Sequence, residues 1–244
     1  MNAIEDNRYT RTWRDLGQQL TPPRAILAVS AHWYTRGTAV TAMARPRTIH
    51  DFGGFPQALF DVRYPAPGDV ALASKVRDLL APVPVALDQD WGLDHGTWSV
   101  LAHMYPQAQV PVLQLSIDAT QPPLFHYELG KQLSALRDAG IMIFGNGNVV
   151  HNLRTMQWQP DAPTPAWATA FNDYVGNAVR RGDHAALIDY EAAGESARLA
   201  VPSLEHYLPL LYVLGAARDG EPANILIDGL ERGTISMLSV GVGT

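Results

Sequence analysis

Ala25-Ile-Leu-Ala-Val-Ser-Ala-His-Trp33 reads as a buried strand that runs straight into a histidine. Pro22-Pro23 stands just before it and blocks a helix from entering. An aliphatic run this continuous is the pattern of a parallel strand covered on both faces. In open α/β sheets, ligands collect outside the carboxyl ends of the strands. The pattern therefore puts His32 at that edge. Histidines 95, 151 and 206 also follow apolar segments or turns, far apart in sequence.

Working outward, residues 4–20 carry Tyr9, Trp13, Leu16 and Leu20 at helical spacing. Alternating, β-branched residues predict a strand over 37–43. Residues 45–68 have little periodicity but many aromatics and glycines, which suits a lid or pocket wall. Asp69 caps a helix over 69–81, and a short strand follows over 83–87. Residues 90–98 read as a loop, with Thr97 as cap of a helix through His103. A strand over 110–117, a helix over 124–139 and a strand over 140–145 come next. Then follow a helix over 167–180 and a polar region to Ala200. Ser203 is the expected cap of a helix over 203–214, with His206 in its first turn and Pro209 inside. Strands over 223–227 and 234–242 close the chain. The alternation predicts an α/β fold, a single three-layer αβα domain over 1–244 with a central mixed, largely parallel sheet. A helix ahead of the first strand is unusual in that class.

The 244 residues are 47% hydrophobic with a net charge of -6, enough for a sizeable core. Acids and bases are interspersed with no basic stripe, which argues against nucleic-acid binding. The chain has no cysteine, which excludes disulfides, thiolate nucleophiles and zinc-finger sites and fits a reducing cytoplasm. No apolar run reaches the roughly 18 residues of a membrane span. The first residues lack the basic and apolar regions of a signal peptide.

Of the eight histidines, His103 and His126 lie on helices and His184 in a polar loop, where an imidazole usually carries no chemistry. His32, His95, His151 and His206 sit at strand ends, glycine-containing turns or helix starts, where active-site groups collect. With no cysteine available, they form the natural donor set for a divalent metal, and imidazole suits zinc and iron. A metal-free histidine site and plain buried histidines remain alternatives. His-Glu-x-x-His, Gly-x-Gly-x-x-Gly, a phosphate loop and Gly-x-Ser-x-Gly are all absent.

Several separated motifs together carry a resemblance. They are Ser30-Ala-His-Trp33, Thr48-Ile-His-Asp-Phe-Gly-Gly-Phe-Pro56, Tyr64-Pro-Ala-Pro-Gly68, Asp94-His-Gly-Thr-Trp98, Gly147-Asn-Val-Val-His-Asn152 and Glu205-His-Tyr-Leu-Pro209. In this order they resemble the class III extradiol ring-cleavage dioxygenases (LigB-like), most closely the 4,5-DOPA extradiol dioxygenase branch. The resemblance spans the chain. It implies a single catalytic α/β domain with a mononuclear non-haem Fe(II), zinc being possible. It implies a catechol, L-DOPA-like, and dioxygen as substrates, while the charge pattern and the lack of a long apolar run leave no nucleic-acid or membrane partner expected. It makes His32 and His206 metal ligands, His151 the acid–base histidine and His95 a second pocket histidine. His50 and Tyr207 become candidate substrate contacts. Phe52, Phe55 and Trp98 become candidate ring walls, with ordinary core packing an equal reading. The family's first ligand comes from a His-Gly-Ser-Pro turn after an N-terminal strand. That strand and third ligand are expected upstream of Met1, outside this sequence.

Two other functions compete. Histidines at strand ends could activate water on zinc, making a zinc-dependent hydrolase with Asp94 as its candidate base. The same fold could also serve as a non-catalytic binding protein.

Overall fold

The first strand, β1 (Ala25–Thr35), is buried from Ala25 through Ala31 and runs parallel to strands on both sides. The structure, a computed structural model, describes residues 2–159 and 162–243. Its internal contacts group the chain into two compact units, Met1–Thr120 with Gln132–Asn146, and Gln121–Lys131 with Gly147–Thr244.

In the first unit, β1 joins β2 (Thr38–Thr41), β3 (Val85–Asp88), β4 (Val112–Asp118) and β5 (Ile141–Asn146). The sheet order is β3-β2-β4-β1-β5. Only the β2–β4 pairing is antiparallel, so the sheet is mixed and largely parallel, as expected. Pairing with β5 ends at Ser30↔Asn146. On the other side the register jumps from Val29↔Leu115 to Tyr34↔Ile117, so β1 bulges through Ser30–Trp33. A bulge bends a strand and re-aims its side chains. His32 sits inside it, beyond the last β5 partner.

The helices of this unit are α1 (Arg8–Gln19), α2 (Gln57–Phe60), α3 (Val70–Leu79) and α4 (His95–Met104). The first starts later than expected because Asn7 forms a capping box with Thr10. It lies against α4 at Gly17, where a Cβ would stand 2.0 Å from the Met104 carbonyl oxygen. Asp69 caps α3 as expected. The cap of α4 is Asp94, not Thr97, whose N–H instead donates to the Asp94 carboxylate at 3.0 Å. The helix thereby begins at His95.

The helix α5 (Pro123–Arg137) contributes residues to both units. The second unit holds α6 (Ala166–Arg181), α7 (His184–Ile188), α8 (Glu195–Ala200) and α9 (Leu208–Gly215). Its strands are β6 (Ala223–Ile227), β7 (Leu230–Glu231), β8 (Ile235–Ser236) and β9 (Ser239–Val242). The polar region up to Ala200 is thus largely short helices. The helix expected from Ser203 begins at Leu208. Ser203 spends its hydroxyl on Glu205 at 2.7 Å, and the Leu204 carbonyl accepts from the Tyr207 and Leu208 N–H groups to close a turn. His206 therefore precedes the helix. Pro209 falls in the first turn, where the missing N–H has no helical partner to lose. The expected last strand divides into β8 and β9, paired to β7 and β6. No helix among the described residues is long and apolar enough to cross a membrane.

Candidate active site

In the first unit, two histidines meet. The bulge of β1 presents His32 and the start of α4 presents His95, with ring centroids 4.0 Å apart. Gly96 makes this approach possible. A Cβ there would stand 2.6 Å from Asn146 Oδ1, 2.7 Å from Ser30 Oγ and 2.8 Å from His32 Cδ2. The helix can press its first turn onto the strand ends only without a side chain at that position.

Between the two rings lies Asp51, which the sequence reading passed over. Its Oδ2 is 3.2 Å from His32 Nδ1, and its Oδ1 is 2.9 Å from His95 Nδ1. The His95 backbone N–H donates to the same Oδ1 at 2.9 Å. That backbone bond is the aligned one. The His95 ring approach is off-line, a close contact rather than a well-formed hydrogen bond. Burial alone would raise the Asp51 carboxyl. The hydrogen bonding of His32 and His95, with the His95 charge, overrides burial and holds it well below the usual carboxylate range. An ionised carboxylate this close favours a proton on each Nδ1, so that whenever a ring is neutral its lone pair is on Nε2. Donor atoms of His32, Asp51 and His95 lie within 4.8 Å of one another. Imidazoles backed by a carboxylate are donors that non-haem iron and zinc accept. The cluster is thus chemically able to hold a divalent ion.

An aromatic wall adjoins His95. The Phe52 ring meets His95 edge-on at 5.3 Å, Phe55 at 5.7 Å and Phe60 at 4.8 Å. His50 lies 5.8 Å from Phe52 and 5.5 Å from Trp98, with its Nε2 3.0 Å from the Val62 carbonyl. Trp98 itself is fully buried and donates to the Ile49 carbonyl at 2.8 Å. It backs the wall and does not form its surface.

In the second unit, His151 and His206 stack with centroids 3.5 Å apart and planes at 8°. Asn148 orients the second ring. Its Nδ2 donates to the Ser236 carbonyl at 2.7 Å, so its Oδ1 is the atom 3.2 Å from His206 Nδ1. That oxygen only accepts, so Nδ1 carries a hydrogen, and in the neutral ring the lone pair is on Nε2. Gly147 allows the turn to close on this residue, since a Cβ would stand 2.2 Å from the His206 carbonyl oxygen.

Tyr207 departs from its expected role. It is fully buried, and its hydroxyl donates to the Leu187 carbonyl at 2.8 Å. Burial pushes its pKa well above the ordinary value, with Tyr174 and Tyr190 adding to the effect. It is a core residue with no hydroxyl to offer a substrate. The expected hydrolase base, Asp94, is likewise fully buried, with both carboxylate oxygens engaged. It has no room to activate a water. Among the set-aside histidines, His126 is buried against the Tyr212 hydroxyl at 2.9 Å. His184 starts α7 and bonds Tyr127 at 2.8 Å, and His103 bonds the Asn2 carbonyl at 2.9 Å.

Comparison with known proteins agrees with this chemistry. Residues 3–243 match the LigB family, described as the catalytic LigB subunit of aromatic ring-opening dioxygenase. A 4,5-DOPA dioxygenase extradiol from Escherichia coli K12 is 56% identical over 100% of this chain and 91% of its own. One from Beta vulgaris is 36% identical over 97% of this chain and 90% of its own. The crystal structure of an uncharacterized Escherichia coli K12 protein superposes with a TM-score of 0.85 at 50% identity, covering 97% of this chain and 93% of that one.

Two outcomes follow from the geometry. Gly96→Ala should force the start of α4 away from β1 and lower the affinity of the purified protein for a divalent ion, read by metal titration; wild-type affinity would show that the close approach is dispensable. Asp51 has a depressed folded-state pKa, so its stabilisation is complete above its unfolded value of about 3.9 and is lost progressively as pH falls from there toward the depressed folded value. Metal-free Asp51→Asn should therefore melt below the metal-free wild type at neutral pH, with the gap closing in acid; a pH-independent gap in thermal scans would contradict this.

Proposed function

The chain belongs to the LigB family of catalytic subunits of aromatic ring-opening dioxygenases, an extradiol ring-cleaving branch, and from that membership we propose that it opens L-DOPA-like catechols with dioxygen. The observation that carries the reading is the His32–Asp51–His95 cluster beside an aromatic wall. Neither the zinc hydrolase nor the bare binding protein has a comparable observation in its favour. The cytoplasm, where no disulfide is needed, is the compartment we assign.

His32 would hold the metal through Nε2, with Asp51 keeping the hydrogen on Nδ1. His206 has its own Nε2 freed in the same way by Asn148, which supports the ligand role that the family resemblance gives it. Fe(II) is the expected ion and Zn(II) the possible substitute. When bound, such an ion supplies Lewis acidity that favours ionisation of a catechol hydroxyl, and iron adds the redox chemistry dioxygen requires. The protein's own groups do the rest. Two imidazoles stacked at 3.5 Å cannot both be cations without strong repulsion. His151 over a His206 that is neutral can thus take up a catechol proton and return it to the opened product. His95, with Asp51 against its Nδ1, presents Nε2 beside the ring wall, where it can hydrogen-bond the substrate. His50, Phe52 and Phe55 give the ring an apolar seat that limits water, with Trp98 behind them.

The test is oxygen uptake after anaerobic loading with Fe(II). Wild type with L-DOPA should consume oxygen and form a yellow ring-opened product. His151→Ala should lose about 10²- to 10⁴-fold in rate while keeping its metal. Absence of oxygen uptake with every catechol tried would remove the proposal.

A further inference from the structure

We propose that Asp94 is a positioning residue for His32 and His95, acting through a buried clamp with Ser30 and Gln114; this rests on the ring-opening dioxygenase reading above. Asp94 is fully buried, as are Ser30, Thr97 and Gln114. A carboxylate is costly to bury unless every acceptor position finds a donor. Here the donors come from three different elements. Ser30 of β1 donates to Oδ1 at 2.8 Å, and the Thr97 N–H of α4 donates to the same oxygen at 3.0 Å. Gln114 of β4 donates from Nε2 to Oδ2 at 2.6 Å. Gln114 Oε1 accepts from the Asp94 backbone N–H at 2.8 Å, so the two residues hold each other by a reciprocal pair of bonds.

The clamp bears on the site at both ends. Ser30 Oγ also accepts from the His32 backbone N–H at 3.3 Å, inside the bulge. Asp94 is the N-cap of the helix whose first residue is His95. Gln114 is itself anchored, its N–H donating to Thr41 Oγ1 at 2.9 Å. One acid thus ties the strand that carries His32 to the helix that carries His95, with β4 as the fixed support. A helix cap alone would need only the Thr97 bond, and serine or asparagine could supply it. The bond to Gln114 requires more. Because Gln114 Oε1 is held by the Asp94 N–H, its Nε2 must face Oδ2, and only an acceptor fits there. An asparagine at 94 would set Nδ2 against Nε2, and turning the glutamine amide would merely move the donor–donor clash to the backbone N–H.

Four variants test this: Asp94→Ser, which keeps a cap; Asp94→Asn; Gln114→Glu; and Asp94→Asn combined with Gln114→Glu, which exchanges donor and acceptor and conserves charge. Each full-length protein is titrated with Co(II) alone, and kcat and KM for L-DOPA are measured after Fe(II) loading. The temperature is one at which near-ultraviolet dichroism shows every variant folded. The expected result is Co(II) binding weaker by about tenfold or more in each single variant. The kcat per bound metal should fall with KM little changed, and the double variant should return both quantities to near the wild-type values. Wild-type Co(II) affinity in Asp94→Ser would reduce Asp94 to a helix cap and overturn the proposal. A double variant that recovers its melting temperature but not its Co(II) affinity would also overturn it. That double variant decides the matter even if Asp94→Asn alone does not fold. A wild type that binds Co(II) yet takes up no oxygen with catechols would defeat the activity reading, while the Co(II) series would still decide the clamp. A wild type that binds no Co(II) would overturn the clamp's role outright.

Discussion

The start of α4 must come within contact distance of the bulged end of β1, and the chemistry of the first unit depends on that approach. His32 and His95 belong to different elements, and their rings lie 4.0 Å apart only because helix and strand converge there. Convergence needs a residue with no side chain at the crossing, which is Gly96, and an acid buried between the elements, which is Asp94. A close crossing without the acid would leave Ser30, Thr97 and Gln114 as buried donors facing one another, each lacking an acceptor and each costing about 1–3 kcal/mol. The Asp-His-Gly sequence therefore has three separate physical tasks in consecutive residues: tying, presenting and making room.

A second acid works at the surface of the same crossing. Asp51 comes from a loop with glycines on its far side, and it is held by the His95 backbone N–H as well as by the two rings. Its side chain is 19% exposed, shielded enough for the neighbouring imidazoles to act on it strongly. The depressed pKa is the electrostatic mark of that enclosure, since burial by itself would push the other way. The same contact governs the rings in return, because a carboxylate at Nδ1 selects the tautomer that exposes Nε2.

The second unit solves a similar problem with neutral groups. Asn148 is oriented by the Ser236 carbonyl, and it in turn orients His206. The His151 ring stacks on the ring so oriented. A carboxylate, Asp51, stands at one histidine pair and a neutral amide, Asn148, at the other.

Much of this was legible in the residue order. The aliphatic run into His32 and the apolar strands after it predicted a mixed, largely parallel sheet, because burial on two faces demands continuous hydrophobicity. The histidine positions at strand ends and glycine turns were visible for the same local reason, and the motif order pointed to the family. Local patterns misplaced caps where two good candidates stood close together, as with Thr97 and Asp94, or where a turn preceded the helix, as after Ser203. They could not mark Asp51, since one acid in an aperiodic loop carries no signature until His95, 44 positions away, meets it. Nor could they tell Tyr207 the core residue from Tyr207 the substrate contact, because its partner is a backbone carbonyl twenty positions back. Residue kinds and element types were thus determined by the sequence alone, through periodicity that reaches only a few neighbours. The pairing of donor with acceptor across long separations was decided by the tertiary structure, because only close packing brings such groups within hydrogen-bond range.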